Sequence, residues 1–376
     1  MKKFSLVFVL LAASLATMYS CSKSSKGSDD GDTTNGFDKS AMLTNYAESL
    51  IIPGYTALQE KLALFQTAAD AFLTTPTTTT QDAAKIAYTA LYLQYERTAV
   101  YQVGPAETEL LDNFLNYTGG LDYNFNTSGA ITGFSVDSTS IESNISSGTY
   151  NLATMLRSSF YSQGFPALGY LLFGPNAIAK FNTNTAARVK YTRDVVARMK
   201  TLVDKVAAAW PAYKATFTAN TKTNVGSPIG SLVNQFAYQL DLMKGPRIGW
   251  PFGKQSNGIV FASKTEGYFA GISAQLAVEN LTSLKKAYTA AGSGKGISDY
   301  LIALNRASLN NDITTQFDVA IAKLKLIPDP LSNTLTAQPS LVEDAYKEVQ
   351  KLLTLLKTDL ASATAVQISY MDNDGD

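Results

Sequence analysis

The sequence predicts an all-α protein built as two packed helical bundles, with little or no strand content. Three observations carry that expectation. Apolar residues recur at spacings of three and four through most of the chain after residue 37, the period of a helix with one buried face. Strand signals are confined to one stretch, Ala130 to Val136 (AITGFSV), a candidate hairpin arm. The chain has 376 residues, 45% of them hydrophobic, which is ample for packed cores and permits two domains.

The first element is an address. Lys2 and Lys3 precede an apolar run from Phe4 to Ala16, too short to span a membrane stably, so residues 1–20 read as an export signal. The only cysteine, Cys21, follows Ser20 at the end of that run. The arrangement resembles a lipobox, which implies lipid attachment at Cys21 and an outer-membrane lipoprotein. Residues 22–36 hold no apolar side chain and read, with Cys21, as a flexible tether over 21–36. Asp29, Asp30 and Asp32 resemble an export tag for the cell surface; a solubilising linker on a periplasm-facing protein is the alternative.

The bundles follow. Leu58, Leu62, Phe65, Ala69 and Phe72 form one stripe, with Pro53-Gly54 expected to kink or restart its front. The threonines from Thr74 to Thr80, around Pro76, break it. A second helix carries Ile86, Ala90, Leu93 and Arg97 along one face and ends towards Gly104-Pro105. Tyr88, Tyr92 and Tyr95 share another face, as core packing or as the lining of a ligand site. Further stripes run through Val196, Met199, Val203, Val206 and Trp210, and through Leu232, Phe236, Leu240 and Met243. The last long helix is expected to open on a capping box, Ser340 to Glu343, and to bury Val349, Leu352, Leu353, Leu356 and Leu360. The polar stretch 174–187 suggests a boundary near residue 183, giving bundles over 37–182 and 183–376.

Composition removes whole classes of chemistry. The chain has no histidine, which excludes His-containing zinc sites, Ser-His-Asp and Cys-His nucleophilic sites and His-ligated haem, and leaves carboxylates as candidate acids and bases. Lysine plus arginine and aspartate plus glutamate both number 31, and removal of Lys2 and Lys3 would leave 29 against 31. Nucleic acid is not an expected partner, because its binding usually needs a basic surface. No cofactor is implied.

Residues 164–174, GFPALGYLLFG, resemble the signature of the imelysin-like family, insulin-cleaving membrane peptidases and iron-regulated lipoproteins. That signature reads G-x-H-x-x-E, then an aromatic residue or Leu, Leu-Leu, an aromatic and Gly. Gly164 and Tyr170 to Gly174 keep the frame, but the histidine falls on Pro166 and the glutamate on Gly169. A His and a Glu three apart share one helix face and can hold a metal or pass a proton; proline and glycine can do neither. Gly164 and Pro166 also suit a helix start. Tyr88 to Ala106 resembles the family's aromatic helix, with Ala99 where members often carry an acid. Glu266-Gly267-Tyr268 through Ser273 resembles its Glu-x-x-Tyr-Ser segment, and the acidic C-terminus is similar to tails of Bacteroidetes members.

The resemblance implies a non-catalytic envelope lipoprotein, a binding or accessory component of iron or nutrient acquisition. Its partners would be the membrane through Cys21 and a small molecule or protein. Two alternatives stay open: a peptidase using carboxylates elsewhere in an interdomain cleft, and a purely structural surface lipoprotein. Tyr88, Glu107 and Tyr170 are the candidate cleft residues. Glu107, Glu109 and Asp112 offer oxygen ligands or simply favour a helix start. Lys244, Arg247 and Lys254 form a basic loop that would grip an anion or make a surface turn. Asp372, Asp374 and Asp376 resemble half a calcium loop or a solvated tail.

Overall fold

The computed structural model describes residues 36–118, 136–183 and 185–370. Cys21, the tether, nearly all of the candidate hairpin at 130–136 and the three C-terminal aspartates lie outside them. Every regular element among the described residues is helical. Residues from Phe37 onward cluster as one unit by contact.

The N-terminal bundle is built on α1 (Lys39–Asn45), α2 (Ile52–Thr74) and α3 (Thr78–Ala99). Asp38 caps α1 by accepting from Ala41 N at 2.8 Å. A π-helical turn, Tyr46–Ile51, joins α1 to α2 and absorbs the register change that Pro53 imposes, so the proline sits in the first turn of α2, where its missing N–H costs nothing. The predicted stripe of α2 is buried throughout. Thr77 and Thr80 cap α3 reciprocally, so the threonine run both ends one helix and starts the next.

On α3 the buried face is the tyrosine face. Ile86 is 72% exposed and Arg97 points outward, while Tyr88, Tyr92 and Tyr95 are each about fully buried at 1% exposure. The stripe through Ile86, Ala90, Leu93 and Arg97 is therefore the outer one. Aromatic rings bury more area than the small and aliphatic residues opposite them, and that outweighs their hydroxyls once each finds a partner.

Helices α4 (Ser138–Ser147), α5 (Gly164–Phe173) and α6 (Ala177–Thr183) lead to α7 (Thr185–Ala219). Gly164 opens α5 at φ 65°, and a Cβ there would stand 2.2 Å from the Leu115 carbonyl oxygen. Only glycine allows that conformation and that approach. The stretch 174–187, expected to be a linker, is largely helical. α7, which follows the expected boundary near residue 183, packs on α1, α2 and α5. Val196, Met199, Val203, Val206 and Trp210 are the buried stripe that holds it there.

The second bundle comprises α8 (Pro228–Leu242), α9 (Ser273–Thr289), α10 (Ala307–Leu324) and α11 (Pro339–Thr354). Pro339 begins α11, and the predicted capping box is not formed; Glu343 instead pairs with Lys254. A π-helical turn, Met243–Gly249, extends α8. The bundles meet mainly where α3 packs on α9 and where α5 meets the turn at 268–270. No helix among the described residues is long and apolar enough to cross a membrane.

Candidate functional site

At that junction lies a cleft of about 440 Å³, its open mouth included. Pro166 and Gly169 on α5 form part of one wall with Phe165; Tyr88 and Tyr92 on α3 lie beneath; residues 264–269 close the other side. The two positions at which the signature lost its histidine and glutamate thus border the cleft. Gly169 has a specific neighbour. A Cβ on it would stand 3.0 Å from the Tyr88 hydroxyl, which donates to the Phe165 carbonyl at 2.9 Å. Tyr88 occupies the space into which a side chain at 169 would grow. The wall is aromatic: Phe165 stacks on Tyr92 with centroids 4.1 Å apart and planes 9° from parallel.

One layer deeper the interface changes character. Arg247, carried inward by the π-helical turn after α8, donates from Nη1 to Glu96 Oε2 at 2.9 Å. Its Nε lies 3.3 Å from Glu266 Oε2. All three side chains are buried, Glu96 completely. Asn280 donates to Glu96 Oε2 at 2.8 Å and to Gln239 at 3.0 Å. Asn116 donates to Glu266 Oε1 at 2.6 Å and accepts from the Tyr92 hydroxyl at 2.6 Å. The chain turns sharply after Glu266: Gly267 has φ 62°, and a Cβ on it would press on Leu276 at 2.9 Å.

Burial pushes the Glu96 carboxyl well above its ordinary pKa, against the opposing pull of Arg247 and with a further push from Glu266. Burial works against the Arg247 charge, but Glu266 and Glu96 outweigh it and hold the guanidinium firmly protonated. Asp112 accepts from the Tyr95 hydroxyl beside this network, and burial raises its pKa to about 6. A second opening, lined by Tyr95, Asp112 and Arg247 among others, shares Asn116, Tyr117 and Thr118 with the cleft.

The other candidates disperse. Glu107 is exposed and is not among the residues lining the cleft; its charge acts on the Tyr213 hydroxyl of α7. Glu109 pairs with Lys205 at 2.8 Å. Tyr170 stands behind the cleft, its ring edge-on to Phe269, its hydroxyl donating to Glu142 and accepting from Lys180 at 2.9 Å. Lys254 pairs with Glu343, so the basic loop divides and only Arg247 turns inward. The Ala99 carbonyl accepts from Gln235 and Gln239 at 3.0 and 3.1 Å. Glu96, one turn before it, was not singled out from the sequence. Its spacing of four from Tyr92 places it on the buried tyrosine face, which is a readable signal. Asn116 and Asn280 carried none.

The residues present do not fit a resident metal ion at this cleft. The signature positions offer no ligand atom, the two nearest carboxylates already flank a guanidinium, and no group of three or more metal-ligating side chains comes together among the described residues.

Comparison with known proteins places these features in a family frame. Residues 51–363 match the family model described as Imelysin, a peptidase family. The fold resembles that of an imelysin-like protein from Psychrobacter arcticum, with a TM-score of 0.66 and 17% identity over 89% of this chain and 97% of that one. It also resembles a protein from Parabacteroides distasonis assigned as an iron-regulated protein A precursor, with a TM-score of 0.69 and 16% identity over 87% and 95%. No functionally curated protein matches the chain.

Proposed function

The chain belongs to the imelysin family, and we propose that it is a member that binds rather than cleaves, acting as an accessory component of nutrient or iron acquisition in the bacterial envelope. The observation that supports this most directly is the pair Pro166 and Gly169. Both border the cleft, neither carries a titratable group, and the Tyr88 hydroxyl fills the space beside Gly169. General-base or metal-assisted hydrolysis needs a group at the reacting atoms that can take a proton or hold an ion. The iron setting rests on the family resemblance and on the name of one structural relative. The envelope setting rests on the export signal and on Cys21 as a lipid attachment site; fatty-acid labelling that persists in Cys21→Ala would rule that site out.

One observation keeps the peptidase alternative open: Glu266 is a carboxylate that borders the cleft, although its Oε2 is buried against Arg247 at 3.3 Å. A general base needs a carboxylate at the reacting atoms. A set of fluorogenic peptides incubated with the purified 37–376 chain, with and without divalent metal, separates the readings. We expect no turnover, and none from Pro166→His/Gly169→Glu, because a glutamate stem at 169 crowds the Tyr88 hydroxyl and no residue described around it is arranged to orient the new pair. Turnover abolished by Glu266→Gln would establish the alternative.

A further inference from the structure

The outer face of α3 is apolar where it meets water. Ile86 is 72% exposed, Ala90 and Leu93 are half-buried, and Phe173 at the end of α5 stands beside them. With Lys85 and Thr89 these residues line an open groove of about 350 Å³, room for the apolar side chains of a partner. Lys85 Nζ lies 5.3 Å from the Phe173 ring centroid, so that charge leans towards α5. Asp82, Ile86, Thr89, Leu93 and Arg97 follow one another at spacings of four, three, four and four, a single stripe on the side away from the buried tyrosines.

The stripe is self-complementary. About the point between Thr89 and Ala90, Ile86 and Leu93 lie roughly 5 Å to either side and Asp82 and Arg97 roughly 11 Å, at 1.5 Å per residue. Apolar balances apolar, and an acid balances a base. A two-fold axis through that point, perpendicular to the helix, sets Ile86 of one copy against Leu93 of the other and Asp82 against Arg97, each contact made twice. The small side chains of Thr89 and Ala90 at the crossing let the helices approach closely. A parallel pairing in register would oppose like charges at both ends, so the charges select the antiparallel one. Both charges can reach. Asp82 is exposed, and the Arg97 side chain is 48% exposed. Arg97 donates from Nε to Glu279 at 2.6 Å and from Nη1 to Gln94 at 3.3 Å, which leaves Nη2 for a further carboxylate.

We propose that a second copy of this chain docks on this face, α3 against α3 and antiparallel about a two-fold axis between Thr89 and Ala90. Asp82 and Arg97 form reciprocal ion pairs at its ends, and Ile86 and Leu93 make the apolar contact between them. One helix face is smaller than the roughly 800 Å² that each partner gives to a standard interface, so the dimer is a weak one. The inference is independent of what the cleft binds.

Disulfide trapping on residues 37–376, which cluster as one unit and hold no cysteine, tests it. Thr89→Cys puts a thiol beside the axis and should cross-link to its own copy under mild oxidation. Leu326→Cys, at an exposed position elsewhere, should not. In the Thr89→Cys background, Asp82→Arg and Arg97→Glu each turn both ion pairs repulsive, and each should weaken cross-linking about tenfold or more. Mixing the two reversal variants should restore it, because every pair in the mixed dimer again joins opposite charges. Sedimentation of the cysteine-free chain over a concentration series should show a weak, reversible dimer that Asp82→Arg abolishes. Arg97→Glu also loses the pair with Glu279; if that variant does not fold, Asp82→Arg decides through its own loss. Failure of Thr89→Cys to cross-link, equal cross-linking of both cysteines, indifference to the charge reversals, or a mixture no better than its components would each overturn the proposal.

Discussion

Tyr92 stands between two unlike halves of the bundle interface. Its ring stacks on Phe165 in the wall that carries Pro166 and Gly169, and its hydroxyl reaches Asn116 in the network of Glu96, Glu266 and Arg247. The first half is aromatic and lines the cleft; the second is charged, almost wholly buried, and reaches the cleft only through Glu266 and Asn116. The difference separates two uses of polar chemistry that a single motif would hide. Groups that face a cleft are free to react or to bind, and here the signature has given up its two. Groups that face each other in a buried layer largely pair with one another, and what they contribute is the fit between bundles. Losing the first kind should leave the fold intact. Losing the second should not.

Arg247→Met breaks that comparison most severely. It removes the cation that, among the described residues, alone pairs with both buried carboxylates, and stranding such charges typically costs about 3–5 kcal/mol. Urea unfolding should show a loss of that size, with Glu96→Gln losing clearly less, because the amide still accepts from Asn280 and ends the conflict with Glu266. A loss for Arg247→Met below about 1 kcal/mol would mean that the buried layer does not hold the bundles, since surface pairs are worth no more than that.

The pH dependence sharpens the same contrast. The Asp112 carboxyl has a folded pKa of about 6 against an ordinary 3.8, raised by burial. An acid whose pKa is raised on folding stabilises fully below its unfolded value, and that contribution is lost as pH rises through the folded one. The Asp112 contribution should therefore be lost between pH 4 and pH 6, and Glu96 shifts in the same direction. Glu343 and Asp344, held low by their bonds from Lys254 and Lys323, contribute in the opposite sense, so the readout is the difference between wild type and Asp112→Asn. Wild type should lose at most about 3 kcal/mol relative to Asp112→Asn across the window, at 1.4 kcal/mol per pKa unit. Urea midpoints of both proteins at pH 4, 5, 6 and 7 check it; a difference that stays constant would contradict the assignment.

What the sequence disclosed follows the same division. Stripes of apolar residues at helical spacing located α2, α7, α8 and α11 because burial of a continuous face is decided locally. On α3 the sequence offered two faces, Ile86 to Arg97 and the tyrosines, and could not show that the tyrosine hydroxyls find their partners only in three dimensions, at Phe165 and Asn116. The polar stretch 174–187 folds largely as helix for a related reason: its apolar Ala177 and Phe181 are buried while most of its polar residues face outward. Of the site, Pro166, Gly169 and Tyr88 were visible through the signature and the tyrosine face. Arg247 was read within a surface loop because a π-helical turn, which no short pattern announces, swings it inward. Glu107 misled as an acid near a helix start, where it simply faces solvent.

The smallest expected effect tests the wall itself. Gly169 lies within α5, where alanine is favoured over glycine by about 1 kcal/mol in a helix interior. Against that gain, the new Cβ meets the Tyr88 hydroxyl at 3.0 Å and crowds its bond to the Phe165 carbonyl, itself worth about 1 kcal/mol. In the wild-type background the two effects oppose each other, and Gly169→Ala should shift stability by no more than about 0.5 kcal/mol in either direction. In Tyr88→Phe the hydroxyl is gone, the crowding with it, and the helix gain should emerge at close to its full value. A double-mutant cycle by urea unfolding reads the difference directly as a coupling of about 0.5–1 kcal/mol. Zero coupling would show that Tyr88 yields freely, and the space beside Gly169 would then stand open to a larger side chain. That result would weaken the steric part of the argument against rebuilding the signature, leaving the missing orienting residues to carry it alone.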